Sequence, residues 1–156
     1  MNYNEKFMHL AIELSINNID NGGGPFGAVI VKNGIVVATG VNLVTINCDP
    51  TAHAEILAIR EAARKMKTFK LVGCDIYSSC EPCPMCLSAI YWSHIDNLFY
   101  GNSKEDAKNI NFDDFFIYEE LKLKPEERKL YTQQYLREKA IIAFKIWKNK
   151  NDKIEY

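Results

Sequence analysis

The sequence predicts a single α/β domain in which a β-sheet is covered by helices on both faces. The length is the first observation behind this prediction. A chain of 156 residues with 47% hydrophobic and 25% charged side chains has the size and balance of one globular domain. The second observation is an alternation of helix and strand patterns in the order α-β-β-α-β-α-β, followed by a mostly helical tail. Such alternation is typical of helices packed on both sides of a sheet, with strands that are separated by a helix running parallel.

A helix and a hairpin are predicted to open the chain. Residues 4–20 form an amphipathic pattern that ends at the glycines 22–24, with apolar side chains at helical spacing at Phe7, Leu10, Ala11, Leu14 and Ile19. The following segment, GAVIVKNGIVVATG, contains two Val/Ile-rich runs joined by Asn33-Gly34. Because Asn-Gly between such runs is the strongest short hairpin signal, two antiparallel strands are expected.

The central elements follow the same alternation. A second helix is predicted over 52–67, where Ile56, Ile59 and Ala63 lie on one stripe. GCDIYSS then predicts a buried strand, PCPMCLSAIYWS a short helix entered through prolines, and IDNLFYG a further strand.

The last third of the chain has weaker patterns. A polar loop is expected over 102–116, and helices are expected near 125–135 and 137–149. No repeat, low-complexity tract or linker interrupts the sequence, so residues 1–156 are predicted to form one domain with a helical C-terminal segment.

Charge and targeting patterns exclude several classes of partner. A net charge of −1 and a pI near 6.3 give no basis for binding a polyanion, so a nucleic-acid partner is not expected. The N-terminus lacks the features of a secretory signal, and no apolar run approaches 18 residues, so a cytoplasmic protein without a membrane partner is predicted. In a reducing cytosol, its five cysteines favour metal or redox chemistry over disulfides.

Three of those cysteines lie at equal spacing in CEPCPMC, residues 80–86. The run is compatible with an iron–sulfur motif, a disulfide knot, a structural zinc clip or a catalytic metal site. A ferredoxin-type run would continue with a fourth cysteine and a proline, but Ile90 and Tyr91 occupy those positions. Cys80, at the end of a strand, is then expected to be a small buried residue beside the site.

A histidine about thirty residues earlier favours the catalytic site. Cys83 and Cys86 open a predicted helix, where the helix N-terminus lowers the pKa of a thiol toward the thiolate that binds metal. His53 would supply a third ligand, and three protein ligands with an open fourth position are typical of catalytic zinc. Glu55 could carry protons as a nearby carboxylate that is not a ligand, although alone it would more simply be an acid in the first turn of a helix. A non-catalytic zinc module with a fourth protein ligand remains the alternative from a different class.

These residues also form a recognised signature. HAE at 53–55 and PCPMC at 82–86 match the H-x-E…P-C-x-x-C pattern of the zinc nucleobase deaminases. The resemblance covers nearly the whole chain, because GGPFGAVIVK, NCDPTAHAE, SCEPCPMCLSAIYW, FDDFFIY and the terminal EY are similar to bacterial guanine deaminases of the zinc cytidine/deoxycytidylate deaminase superfamily.

The resemblance implies a fold and a reaction. The fold would be a three-layer α-β-α structure with a five-stranded mixed sheet. One Zn²⁺ per subunit would be bound by His53, Cys83 and Cys86, with Glu55 moving protons between water, the purine ring and departing ammonia. The reaction implied is hydrolytic deamination of guanine at C2, giving xanthine in purine catabolism.

Polar substrate contacts are implied at two places. Asn42, at the end of the second strand, carries an amide that can donate to and accept from a purine edge, though such a residue is as often part of a turn. Asp114 in FDDFF would accept the exocyclic amine and help to move protons, with Asp113 the less favoured candidate for the same role. An adjacent acid pair is otherwise most often a solvated turn.

The remaining pocket residues are implied by the same resemblance. Phe26 and Trp92 would form apolar walls for a flat ring, and Ala54 lies between the histidine ligand and the proton carrier. Tyr156, the last residue, would close the pocket of a partner subunit. Residues 117–156 would accordingly be exchanged in a domain-swapped homodimer, and an apolar stripe supports this with Ile141, Ile142, Phe144, Ile146 and Trp147.

Other substrates share the same chemistry. The tRNA adenosine deaminases also carry HAE and PCxxC motifs, but they must hold a polyanion, which predicts basic clusters around the site. The segment GNSKEDAKNINFDDFF carries acids near its end instead. Another aminated purine or nucleoside remains a further alternative to guanine.

Overall fold

The computed structural model describes residues 3–155 and contains one mixed four-stranded sheet in the order β2-β1-β3-β4. The strands are β1, Gly24–Lys32; β2, Ile35–Asn42; β3, Cys74–Cys80; and β4, Asn97–Asn102. β1 is antiparallel to both β2 and β3, whereas β3 and β4 are parallel. The predicted hairpin and the predicted parallel crossover between the last two strands are therefore confirmed.

The helices in the first part of the chain lie between and before these strands. They are α1, Glu5–Asp20; α2, Val44–Asn47; α3, Ala54–Met66; and α4, Pro84–Trp92. Apart from the single turn α2, this is the predicted order α-β-β-α-β-α-β.

The two faces of β1 show how the layers form. Ala28 and Ile30 face a cluster beneath α3 and α4, which also contains Ala38, Ala54, Ala58, Ala62, Leu71, Cys74, Ile76 and Ile90. Val29 and Val31 face the opposite cluster beneath α1, which contains Phe7, Met8, Ala11 and Tyr77. Because successive side chains of a strand point to opposite faces, both sides of the sheet are buried and the fold has three layers, α-β-α.

Close backbone approaches bring the helices onto the sheet. A Cβ at Gly40 of β2 would lie 2.1 Å from the carbonyl oxygen of Ala54 in α3. A Cβ at Gly27 of β1 would lie 2.4 Å from the carbonyl oxygen of Ala11 in α1. Only glycine allows these approaches, so both helices are positioned on the sheet by a residue without a side chain.

The expected fifth strand is not found among the described residues, so that part of the fold prediction is wrong. After β4 the chain enters α5, Lys104–Asn109, inside the segment expected to be a polar loop. Ser103 caps this helix: its side chain accepts from the Asp106 N–H, while the Asp106 carboxylate accepts from the Ser103 N–H. This capping box favours a helix at the point where a further strand would have to begin.

Residues 3–114 form one compact unit, and residues 115–155 form a second. The second contains α6, Phe115–Lys122; a 3-10 turn, Pro125–Glu127; and α7, Arg137–Lys148. The predicted helix near 137–149 is confirmed. The one near 125–135 is wrong beyond the 3-10 turn, because the residues that follow include Tyr131, Thr132 and Tyr135, which favour helices weakly. Within residues 3–155 no helix is both long and apolar enough to span a membrane.

Candidate active site

One imidazole and two thiols meet between the first turns of α3 and α4. His53 is the N-cap residue of α3 and Cys83 is the N-cap residue of α4, with Pro84 directly after it. His53 Nδ1 lies 3.6 Å from Cys83 Sγ and 3.5 Å from Cys86 Sγ. The three candidate ligand atoms all lie within 4.8 Å of one another.

This donor set fits a zinc ion. Zinc–sulfur bonds of about 2.3 Å and zinc–nitrogen bonds of about 2.0–2.1 Å place tetrahedral donors about 3.6 Å apart. The observed 3.5 and 3.6 Å separations between His53 and the two sulfurs match that spacing. Among the described residues the group has three members, which is the ligand number of catalytic zinc sites.

The electrostatics of the thiol pair favour metal binding. Hydrogen bonds from Cys86 and His53 lower the pKa of Cys83 to about 4. The pKa of Cys86 is raised, because its thiol donates to Cys83 and is buried. The pKa of His53 is raised mainly by its hydrogen bond with Cys83. The lowered pKa favours the thiolate form of Cys83, which is the form that binds zinc.

Glu55 lies beside this group without belonging to it. It follows His53 by two residues in the first turn of α3, and only 6% of its surface is exposed. Burial raises the pKa of its carboxyl group. Ser78 of β3 donates from Oγ to Glu55 Oε1 at 3.3 Å. A buried carboxylate with one oxygen held by a hydroxyl is suited to carrying protons next to a metal.

Ser78 was not found by sequence reasoning. It lies in the strand predicted from GCDIYSS, whose side chains are buried on both faces. A hydroxyl buried at such a position needs a partner, and this requirement was the available signal.

Asn42 lies at the end of β2 and is buried. Its side-chain Oδ1 accepts from Val44 N at 3.3 Å, and its backbone oxygen accepts from Asn18 Nδ2 at 2.8 Å. Asn18 of α1 was also missed, although it is a polar residue at helical spacing on the face that carries Ala11 and Ser15.

The two adjacent acids differ in their surroundings. The pKa of Asp114 is raised by burial and then by the charge of Cys83, and Asp114 contributes in turn to the raised pKa of His53. Asp113 forms an ion pair with Lys108 at 3.5 Å. Asp114 is thus the acid whose charge interacts with the metal group.

Phe26 and Ala54 occupy different settings in the first unit. Phe26 is partly buried against the core beneath α3, and its ring meets that of Phe112 edge-on at a centroid distance of 4.9 Å. Ala54 is fully buried as the first residue of α3. Its N–H is one of the four at a helix start that have no partner within the helix.

One of the expected pocket residues, Trp92, is not brought to this cluster. Trp92 is the last residue of α4 and is 66% exposed. Since nine helical residues span about 13 Å, it lies at the far end of the helix from Cys83, which does not support a pocket-wall role within one chain. Tyr156 lies outside the described residues.

The other cysteines lie outside the metal group. Cys80 is buried, contacts the backbone oxygen of Ser103 at 3.5 Å, and has a pKa raised to about 11 by burial. Cys74 begins β3, the strand that Cys80 ends, and Cys48 is exposed. All five cysteines are free, so neither a disulfide knot nor a fourth sulfur for an iron–sulfur cluster is formed.

Comparisons with known proteins agree with this geometry. Residues 1–102 match the family model of the cytidine and deoxycytidylate deaminase zinc-binding region. A guanine deaminase from Bacillus subtilis is 45% identical over 153 residues, covering 97% of this chain and 98% of the relative. A solved structure of guanine deaminase from Bacillus subtilis superimposes with a TM-score of 0.95 and 45% identity, over 100% of this chain and 99% of the other. A tRNA-specific adenosine deaminase from Buchnera aphidicola is 34% identical over 151 residues, covering 96% of this chain and 97% of the relative.

Proposed function

The chain belongs to the cytidine and deoxycytidylate deaminase zinc-binding family, and from this premise we propose that it is a zinc-dependent hydrolase that converts guanine and water to xanthine and ammonia. The observation that carries the proposal is the group of His53, Cys83 and Cys86 with buried Glu55 beside it. The near full-length similarity to a guanine deaminase supports guanine as the substrate.

His53 Nδ1, Cys83 Sγ and Cys86 Sγ would hold the ion. When bound, zinc supplies Lewis-acid activation of a water molecule at neutral pH. Glu55 accepts one proton of that water and passes it to the purine ring. It then takes the second proton from the oxygen added at C2 and delivers it to the departing amine, so that the C2–N bond breaks as the C2=O bond forms and water and guanine give xanthine and ammonia. Ser78 keeps Glu55 Oε1 engaged during these transfers, because its hydroxyl donates to that oxygen.

The base would be recognised from the ends of several elements. Asn42 offers its side-chain amide to a purine edge, Asp114 accepts a hydrogen bond from the exocyclic amine, and Phe26 covers one face of the ring. Ala54 contributes its N–H at the start of α3. The burial of Asn42 and the electrostatic proximity of Asp114 to Cys83 support these roles. Trp92 is exposed at the end of α4, so it would contact the purine base only in an assembly of more than one chain.

A homodimer that exchanges residues 117–156 completes the proposal, with Tyr156 of each tail closing a pocket. The support for it is the exposure of the apolar side chains of α7, among which Phe144 is 73% exposed. Side chains of this kind need a surface to cover them, and a second copy of the chain provides one.

We propose that the reaction takes place in the cytoplasm, as a step of purine catabolism. Five free cysteines suit a reducing compartment, where thiols remain available to zinc. Removal of the amino group converts guanine to xanthine and releases its nitrogen as ammonia, which suits a step in purine breakdown.

Editing of tRNA is the second candidate, because a tRNA-specific adenosine deaminase is 34% identical over nearly the whole length. The charge pattern argues against it. A net charge of −1 and an acid pair at 113–114 do not form the basic surface that a polyanionic substrate needs.

A structural zinc module is disfavoured by the site. It would need four protein ligands, whereas the described residues supply three. It would also have no use for a buried carboxylate that is bonded to Ser78 beside the metal group.

Ammonia release from a panel of substrates tests the proposal. Purified zinc-loaded protein is incubated with guanine, guanosine, adenine, cytosine and an adenosine-bearing tRNA loop. We expect rapid ammonia release from guanine and much slower release from the others. Inert guanine combined with a reactive tRNA loop would transfer the assignment to editing, and no reaction with any of them would remove the enzymatic proposal.

A further inference from the structure

A buried asparagine is hydrogen-bonded to the two strands that carry two of the proposed base contacts, Asn42 and Phe26. Asn18 is in the last turns of α1, and only 3% of its surface is exposed. Its Nδ2 donates to Gly24 O and to Asn42 O, both at 2.8 Å. The Asn18 amide group therefore donates to backbone oxygens of two different strands, one at the start of β1 and one at the end of β2.

Those strands are irregular at this point. Gly24 pairs with Asn42, but the next pair is Gly27 with Val41, so β1 contains two extra residues, Pro25 and Phe26. Such a bulge breaks the ladder and redirects the side chains in it. Asn18 donates to the backbone oxygens of Gly24 and Asn42, the pair at which the bulge begins, and so links both strands at this point.

Asn42 is fixed from both sides by this arrangement. Its backbone oxygen is held by Asn18, and its side-chain Oδ1 accepts from Val44 N at 3.3 Å. Because Asn42 Oδ1 is hydrogen-bonded to the backbone N–H of Val44, the orientation of Asn42 Nδ2 depends on the position of the Asn42 main chain.

We propose that Asn18 is a positioning residue for base recognition, acting through Asn42 and the bulge that carries Phe26. The inference rests on the proposed function, because these two residues are taken to contact the purine. Asn18 itself does not touch the base. It fixes the separation between an amide on β2 and an aromatic ring on β1, and this separation decides whether a flat base is held by both.

A substitution at Gly23 would disturb the same contact between Asn18 and Asn42 independently. A Cβ at this position would lie 2.3 Å from Asn18 Nδ2 and 2.5 Å from Asn42 O. Its φ is outside the left-handed region, so alanine is tolerated by the backbone and its methyl group collides with the bonded pair instead. Gly23→Ala should therefore reproduce the effect of Asn18→Ala.

Steady-state kinetics of Asn18→Ala test the inference. Loss of two buried hydrogen bonds should raise KM for guanine about tenfold, equivalent to about 1.4 kcal/mol, with one zinc per chain retained. The same variant in a Glu55→Gln background should bind 8-azaguanine about tenfold more weakly. Gly23→Ala should give a similar change, and the double variant should be no worse than either single variant, because both break the same contact.

Asn21→Ala is the matched control, because Asn21 follows the same helix and its Nδ2 donates to the exposed backbone oxygen of Asn17. If Asn18→Ala and Gly23→Ala lowered only the melting temperature, with KM and analogue affinity within twofold of Asn21→Ala, the positioning role would be refuted. If the unmodified protein released no ammonia from guanine, the proposed function would fail first. A crystal structure of Asn18→Ala with Asn42 and Phe26 unmoved would then refute the positioning role by itself.

Discussion

His53 and Cys83 hold equivalent positions, each as the N-cap residue of a helix that packs on the same face of the sheet. The partially positive ends of α3 and α4 meet there, which stabilises thiolate and carboxylate groups. Cys86, one turn into α4, turns its sulfur to the same point as Cys83. Glu55, in the first turn of α3, lies beside the metal group and accepts a hydrogen bond from Ser78. The proposed ligand His53 and the proposed proton carrier Glu55 are thus only two residues apart at the start of α3.

Substitution of single cysteines tests this division. Cys83→Ala and Cys86→Ala should each lose zinc, because two donors remain. Cys80→Ala should keep about one zinc per chain, at a stability cost of about 1 kcal/mol for a small cavity. The zinc content of each purified variant, measured by elemental analysis, gives the result. Equal loss of metal in all three variants would contradict the assignment of Cys80 as a bystander.

At the scale of elements, the site depends on how closely α3 approaches β2. A Cβ added to Gly40 would lie 2.1 Å from the Ala54 carbonyl oxygen and 2.6 Å from the Ala58 backbone nitrogen. The small residues of α3 make this approach possible, with Ala54, Ala58 and Ala62 all buried against the sheet. Because the helix starts at His53, any shift of its axis moves the imidazole relative to the two sulfurs of α4.

Gly40→Ala should therefore weaken both fold and metal binding. Inserting a methyl group against backbone atoms should lower the free energy of unfolding by about 2 kcal/mol or more. Urea denaturation of the zinc-loaded protein measures this, and competition with a chelator measures the affinity for zinc.

Thr39→Ala is the control, because Thr39 is the exposed neighbour of Gly40 in β2. Unchanged stability and zinc affinity in Gly40→Ala would show that α3 can move on the sheet without consequence for the site, contrary to the role given to this contact.

Sequence patterns predicted the four strands, because alternation and the Asn-Gly turn act locally. The grouping of His53 with Cys83 and Cys86, 30 and 33 residues away, was predicted instead from metal-ligand chemistry and the deaminase signature. The fifth strand was expected only because of the family resemblance, whereas the capping box at Ser103 favours a helix after β4. Asn18 and Ser78 were missed because, unlike the metal-binding residues, an amide and a hydroxyl have no characteristic spacing that points to partners 24 and 23 residues away. Such partnerships become visible only when the layers are packed.

At the scale of the whole molecule, the tail after residue 114 is a compact unit with much exposed apolar surface. Ile142 is 52% exposed, Phe144 73% and Ile146 66%, all on α7. A surface of this kind is typical of an interface. The proposed exchange of tails between two copies would cover it and would make each active site depend on both chains.

Mixed dimers test that dependence. Tyr156→Ala keeps Glu55 but loses the terminal ring, and Glu55→Gln keeps the ring but loses the proton carrier. If tails are exchanged, unfolding and refolding the two variants together should recover about a quarter of full activity, because one site of each mixed dimer is then complete.

A mixture of Tyr156→Ala with the double variant Glu55→Gln/Tyr156→Ala serves as the control and should recover nothing. Absence of recovery in the first mixture would exclude the exchange. Unchanged turnover and KM in Tyr156→Ala alone would exclude the closing role of the terminal tyrosine.

The central claim is that zinc and Glu55 act together to deaminate guanine, and the Glu55→Gln variant tests it most directly. Zinc content and the rate of ammonia release from guanine are measured on the same preparation. The variant should keep one zinc per chain, because Glu55 is not among the metal group. Its turnover should fall on the order of 10³-fold, as expected when a general acid–base is removed. Full activity in a zinc-loaded Glu55→Gln protein would contradict the account.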